Sequence, residues 1–177
     1  MHPQAARRAE LVFSLFDANG NGAIEVDDFN LMANRVAEAA VESGEPAKSA
    51  LRAAFARYWS TLAAELDENG DGRITAEEFS GFVLAPERFG PTIAQFAQAL
   101  AALGDPDGDG LIERPVFVAL MQAIGFREEN VHALFDAFDP ADGDRITVAT
   151  WVQGIVDFYS PDLVGIPGDR LVPDPVP

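Results

Sequence analysis

The chain has 177 residues and no cysteine, which excludes a disulfide framework, a thiolate metal site and a thiol nucleophile. Histidine occurs only at His2 and His132, and methionine only at Met1, Met32 and Met121. Acid-base chemistry has little imidazole to draw on, and a flexible Met-rich groove for partner helices has few residues to build it. Positive charge is also scarce. Twelve Lys and Arg, with Lys48 the one lysine, stand against 29 Asp and Glu, a formal net charge of -17. Nucleic acid and anionic membrane would be repelled by that charge, and divalent cations are its natural counterpart. Met1-His-Pro-Gln-Ala-Ala-Arg-Arg leads into an amphipathic stretch without an apolar signal core, and no apolar run approaches bilayer-spanning length. A cytoplasmic protein is expected on those grounds. The Ala-rich, Lys-poor bias is of the kind a GC-rich bacterial genome encodes.

What the chain does have is oxygen-bearing side chains at fixed intervals. Asp67-Glu-Asn-Gly-Asp-Gly-Arg-Ile-Thr-Ala-Glu-Glu78 matches the twelve-residue calcium loop. In that loop side-chain oxygens come from positions 1, 3 and 5 and a carbonyl from 7, position 9 acts through water, Gly sits at 6 and a bidentate Glu at 12. Those places hold Asp67, Asn69, Asp71, the Arg73 carbonyl, Thr75, Gly72 and Glu78. A hard cation wants six to eight oxygens at about 2.3–2.6 Å, so the chain must wrap tightly and point alternate side chains inward.

Asp17-Ala-Asn-Gly-Asn-Gly-Ala-Ile-Glu-Val-Asp-Asp28 has the same form. Asp17, Asn19, Asn21, the Ala23 carbonyl and Glu25 fall on ligand places, with Gly22 at the turn. Asp28 stands where Glu is expected. A side chain one methylene shorter reaches an ion less easily with both oxygens, which favours the six-coordination of Mg²⁺. A weaker or Mg²⁺-tolerant site is the expectation.

The third loop, from Asp105, supplies Asp105, Asp107, Asp109, the Leu111 carbonyl and Glu113, but Val116 at its last place cannot ligate. It is a weaker candidate. The fourth, from Asp139, is damaged. Aligned on Ile146, its ligand places hold Ala141, Gly143 and Thr150, with Asp144 where the glycine belongs. A structural loop is expected there, with Ile146 pairing with Ile112.

Helical periodicity flanks each loop. Val12, Phe13 and Phe16 lead into the first, and Phe29, Met32, Ala33 and Val36 leave it. Phe55, Trp59, Leu62 and Leu66 precede the second, and Phe79, Phe82 and Val83 follow. Leu84 to Pro91 reads as a connection, with the next helix starting at Thr92 and presenting Ile93, Phe96 and Leu100. Phe117, Leu120, Met121 and Ile124, then Val131, Leu134, Phe135 and Phe138, then Trp151, Ile155 and Phe158 complete the series. Ser160 to Pro177 is rich in Pro and Gly but carries Leu163, Val164, Ile166, Leu171 and Val172. Both a disordered tail and a docked one fit that composition.

With loops starting at Asp17, Asp67, Asp105 and Asp139, the chain is an internal repeat. It resembles the EF-hand superfamily, and its length and long first interval look most like the sarcoplasmic calcium-binding proteins and their bacterial counterparts. The resemblance implies an all-α, compact fold of four helix-loop-helix units in two packed lobes. These would be residues 1–85 and 86–160, with 161–177 as a tail. It also implies calcium as the bound ion and an intracellular buffer, monomeric, with no enzymatic role.

Thirteen Phe against three Met favour a permanently filled interior over a groove that opens on calcium loading. A sensor that engages a partner protein stays open as an alternative. A photoprotein-like small-molecule binder is a more distant one. A dockerin-like module is set aside because full incoming helices precede Asp17 and Asp67.

Overall fold

The computed structural model describes residues 2–84 and 86–173. Among them the apolar stripes become helices where the sequence places them. α1 spans Pro3–Phe16, α2 Val26–Ala39, α3 Glu45–Leu66 and α4 Ala76–Leu84. α5 spans Pro86–Leu103, α6 Arg114–Ile124, α7 Glu128–Ala137 and α8 Val148–Phe158. Proline sits in the first turn of α1, α3 and α6, where its missing N–H has no intrahelical partner to lose.

Each pair of loops is tied by a short antiparallel ladder. β1, Ala23–Ile24, pairs with β2, Ile74–Thr75, in the register Ile24 opposite Ile74. β3, Leu111–Glu113, pairs with β4, Arg145–Thr147, with Ile112 opposite Ile146 as expected. All four isoleucines are buried, so each ladder is pinned to the core by its central pair.

One hydrophobic cluster runs from Val12 to Leu171 through all of these units. Its N-terminal part is aromatic. Phe16 lies 5.0 Å from Phe29 and 5.4 Å from Tyr58, centroid to centroid. Phe96 of α5 joins them, 5.1 Å from Phe55 and 5.5 Å from Tyr58. Burying a side chain of this size contributes roughly 1.5–3 kcal/mol, and the edge-to-face geometry adds to it. Phe117, Phe135 and Trp151 repeat the arrangement further on, with Phe117 5.1 Å from Phe135 and 4.8 Å from Trp151.

Two details depart from the sequence reading. α5 begins at Pro86, not at Thr92, and Pro91 lies inside it. A proline there forfeits one hydrogen bond, but the extra turn brings Phe89 into the core, 1% exposed. On α3 the residue at the centre of the buried face is Tyr58, while Trp59 is only partly covered. The buried set Leu51, Phe55, Tyr58, Leu62 and Leu66 follows the helical repeat without Trp59. The expectation that Phe82 and Val83 continue this face concerns side chains outside the described ones.

The C-terminal segment, as far as it is described, is docked. After α8 the chain turns into a short 3-10 helix, Pro167–Leu171. Leu171 is buried, its carbonyl accepts from Asn130 Nδ2 at 3.1 Å, and Leu163 and Val164 remain exposed.

Candidate metal centres

The second loop forms around Asp67, the C-cap of α3. Its Oδ1 accepts from Asp71 N at 3.1 Å and its Oδ2 from Gly72 N at 2.9 Å. Asn69 Oδ1 also accepts from Asp71 N, at 2.9 Å, and Asp71 Oδ1 accepts from Arg73 N at 2.9 Å. These short side-chain-to-backbone bonds curl the chain so that carboxylate and amide oxygens gather on its concave side. Gly72, at φ +79, takes the left-handed bend that a Cβ would resist. Glu78 closes the loop. Its Oε2 accepts from Thr75 N and Oγ1, each at 2.9 Å, and its Oε1 lies 3.4 Å from Asn69 Nδ2.

The first loop repeats this pattern. Asp17 accepts from Asn21 N and Gly22 N at 2.9 and 2.8 Å. Asn19 accepts from Asn21 N and Asn21 from Ala23 N. Asp28 differs in kind from Glu78. It is fully buried, with Oδ1 accepting from Asn19 N at 3.0 Å and Oδ2 from Glu25 N at 2.9 Å. Both oxygens thus clamp loop backbone, and the shorter side chain is pulled fully into the fold.

The two loops also touch. Arg73, whose carbonyl falls on a ligand place of the second loop, also brings its Nε within 3.0 Å of Glu25 Oε1 in the first. Glu25 Oε2 accepts from Asn21 Nδ2 at 3.0 Å.

In the third loop Asp105 accepts from Asp109 N and Gly110 N, Asp107 from Asp109 N, and Asp109 from Leu111 N. Carboxylate oxygens of Asp105, Asp107 and Asp109 lie within 4.8 Å of one another. Three like charges at that spacing repel, and a divalent cation relieves the repulsion. Glu113 stands apart from that group, exposed on β3 opposite Arg145. Val116 packs against the core.

The fourth loop takes another shape. Asp139 and Asp144 both adopt positive φ, 55 and 59, and Ala141 forms a bridge with Arg145. Thr150 donates its N–H to Thr147 Oγ1 at 3.0 Å, completing the cap of α8 in place of a ligand. Asp144 is held by Arg114, whose guanidinium keeps this carboxyl below the usual aspartate range.

Sequence reasoning missed two groups that position these loops. Arg8, on the buried side of α1 with Ala5, Val12 and Phe16, is 2% exposed and ties the helix entering the first loop to the C-terminal segment. A cation at the helical spacing of an apolar stripe was the available signal. Nothing local in the sequence points from Arg114 to its partners.

The donor set of the first three loops, hard oxygens curled by backbone bonds, suits Ca²⁺. Comparison with known proteins agrees. Residues 7–84 match the EF-hand domain pair family. Calerythrin of Saccharopolyspora erythraea is 25% identical over 162 residues, which cover 88% of this chain and 92% of calerythrin. A Streptomyces coelicolor calcium-binding protein superposes with a TM-score of 0.75 at 25% identity, over 90% of this chain and 99% of its own. Calcium-loaded apo-aequorin from Aequorea victoria shares the fold, with a TM-score of 0.71 at 17% identity over 93% and 94% of the two chains. With paired helix-loop-helix units and oxygen-lined loops, residues 7–84 are an EF-hand domain pair, and over most of its length the chain is similar to calcium-binding proteins of that kind.

Proposed function

We propose that the protein is a monomeric intracellular calcium buffer, without enzymatic activity, whose principal sites are the second and first loops. In this reading residues 1–85 form the ion-binding pair. Residues 86–160 form a second pair in which the third loop is a weaker site. The first loop tolerates Mg²⁺ because Asp28 is short and held by two backbone amides.

One observation carries the choice of buffer over sensor: the interior is already filled and continuous. Met32 and Met121, the side chains best suited to an adaptable groove, are 0% and 5% exposed inside the common cluster. Opening the N-terminal pair would separate Phe96 from Phe55 and Tyr58 and expose them to water. The cavity among Phe16, Met32, Phe96, Met121 and Trp151 measures about 60 Å³, well below the several hundred Å³ that a drug-sized ligand fills, so this part of the core has no room for a luciferin.

A sensor is the second reading. The similar Streptomyces coelicolor protein is described in terms of prokaryotic calcium-mediated regulation, and a regulatory role here would require calcium to uncover apolar surface. Calorimetric titration with Ca²⁺, with and without Mg²⁺, tests the assignment of sites, and four equal tight sites would contradict it. Binding of a hydrophobic dye tests the role. The buffer reading expects no rise in dye fluorescence on calcium saturation, and a large rise would transfer the assignment to a sensor.

A further inference from the structure

We propose that Arg114 is the resident cation of the fourth loop: its guanidinium holds the carboxylates around that loop, so the loop keeps its shape and its pairing with the third loop without a metal ion. Arg114 follows β3 directly and opens α6. From there its side chain crosses to the neighbouring loop. Its Nε donates to Asp144 Oδ2 at 2.6 Å and its Nη2 to Asp144 Oδ1 at 2.8 Å, a two-pronged contact. Nη2 also donates to Asp136 Oδ1 at 2.6 Å, just upstream on α7. The guanidinium carbon lies 4.4 Å from the centroid of the Phe135 ring, and the side chain is only 19% exposed.

A planar fork with a fixed charge suits a carboxylate in a way that a mobile ammonium does not. Packing on an aromatic face adds to its hold. The backbone completes the arrangement, since Arg114 N donates to Asp144 O at 3.3 Å. His132 Nδ1 sits 3.5 Å from Nη1, and because a guanidinium only donates, this ring nitrogen is the acceptor.

The same contacts explain why the loop is insensitive to metal. The places of positions 3 and 5 hold Ala141 and Gly143, which offer no side-chain oxygen. Asp144, the acid nearest the turn, is left-handed at φ 59 and has both oxygens engaged by Arg114. A divalent ion entering here would have to displace a tethered cation whose effective concentration is set by the fold. Arg114 therefore helps to determine how many ions the chain takes. It also fixes β4 against β3, which supports the third loop from its partner side.

The inference is independent of the choice between buffer and sensor, because its first measurement needs no calcium. In the isotope-labelled full chain, the side-chain Nε–Hε resonance of Arg114 is followed by NMR, first in chelator and then at saturating Ca²⁺. The Hε proton should exchange with water more slowly than that of exposed Arg170 in both states, and Asp144→Asn should abolish the difference. Displacement of the Arg114 signal by calcium, or exchange as fast as Arg170 in chelator, would overturn the proposal. Thermal unfolding in chelator of Arg114→Met, Asp144→Asn and the double variant gives a second test. The double variant should lose no more Tm than the worse single one, whereas additive losses would show that the two groups do not act as a unit.

Discussion

Arg8 and Asp169, 161 residues apart, meet at 2.6 Å in a largely buried ion pair that joins the first helix to the last described turn of the chain. The same guanidinium donates to the carbonyls of Phe158, Ser160 and Leu163 at 2.8, 2.6 and 3.0 Å. A buried cation is tolerated only when its donors are satisfied, and here four partners satisfy them. α1 delivers Asp17 to the first loop, so movement of that helix strains the C-terminal segment as well. The clamp works against opening of the N-terminal pair.

Arg8→Met should therefore destabilise strongly. It removes the charge partner of Asp169 Oδ1 and the donor of three carbonyls, while Asp169 Oδ2 keeps the N–H bonds of Gly165 and Ile166, and breaking a buried pair in this way costs about 3–5 kcal/mol. Denaturant unfolding of the calcium-free protein measures it. A change as small as that of an exposed arginine would mean the clamp contributes little.

Glu78→Gln should weaken calcium binding at the second loop by tenfold or more, about 1.4 kcal/mol. The substitution removes the charge that closes the ion shell while preserving the hydrogen bonds of Thr75 to the side-chain oxygen. Calorimetry provides the measurement, and near-normal affinity would mean the principal site lies elsewhere.

Mg²⁺ should compete with Ca²⁺ at the first loop, and Asp28→Glu should reduce that competition. The gain comes with a penalty. Asp28 is fully buried, and an added methylene at such a site costs roughly 1–3 kcal/mol. Titration in a Glu78→Gln background, which weakens the second loop, leaves the first as the strongest remaining site. Tight Ca²⁺ binding indifferent to millimolar Mg²⁺ in the parent would refute the reading of Asp28.

Gly154→Ala should destabilise although it lies within α8, where alanine is intrinsically favoured by about 1 kcal/mol. A Cβ at Gly154 would stand 2.5 Å from Cζ and 2.7 Å from Cε1 of Phe138. Moving that ring disturbs its contact with Phe117. A net loss of about 1–3 kcal/mol is expected from overpacking, and a thermal scan showing a stabilised variant would contradict it.

Stability should fall at alkaline pH because of the two tyrosines. Burial pushes the Tyr58 hydroxyl well up and the Tyr159 hydroxyl up to about 12. A raised folded-state value means that stability is complete below the unfolded value, about 10, and is lost as pH climbs through the folded one. Tyrosinate absorbance should lag behind that of free tyrosine and then appear together with loss of helix. Ordinary titration of both residues in the folded protein would refute this. The acid side has the opposite sign. Asp144 is held low by its bonds to Arg114, so its contribution is present at neutral pH and disappears as pH falls below the ordinary aspartate range.

Sequence alone determined the helix-loop-helix repeat, the spacing of oxygen-bearing side chains along its loops, and the pairing of Ile112 with Ile146. All of these depend on residues a few places apart, whose relation is set by helical period, turn chemistry and ligand spacing. Tertiary structure decided the rest. The sequence left the C-terminal tail open because its apolar residues acquire meaning only beside α7, α8 and Arg8. It placed the α4–α5 boundary too late because Pro86 and Pro91 read locally as breakers, while burial of Phe89 outweighs the hydrogen bond lost at Pro91. Arg8 and Arg114 were not legible for a more general reason. A charged side chain is defined by its partner, and those partners lie 161 and 30 residues away, distances that only the folded chain closes.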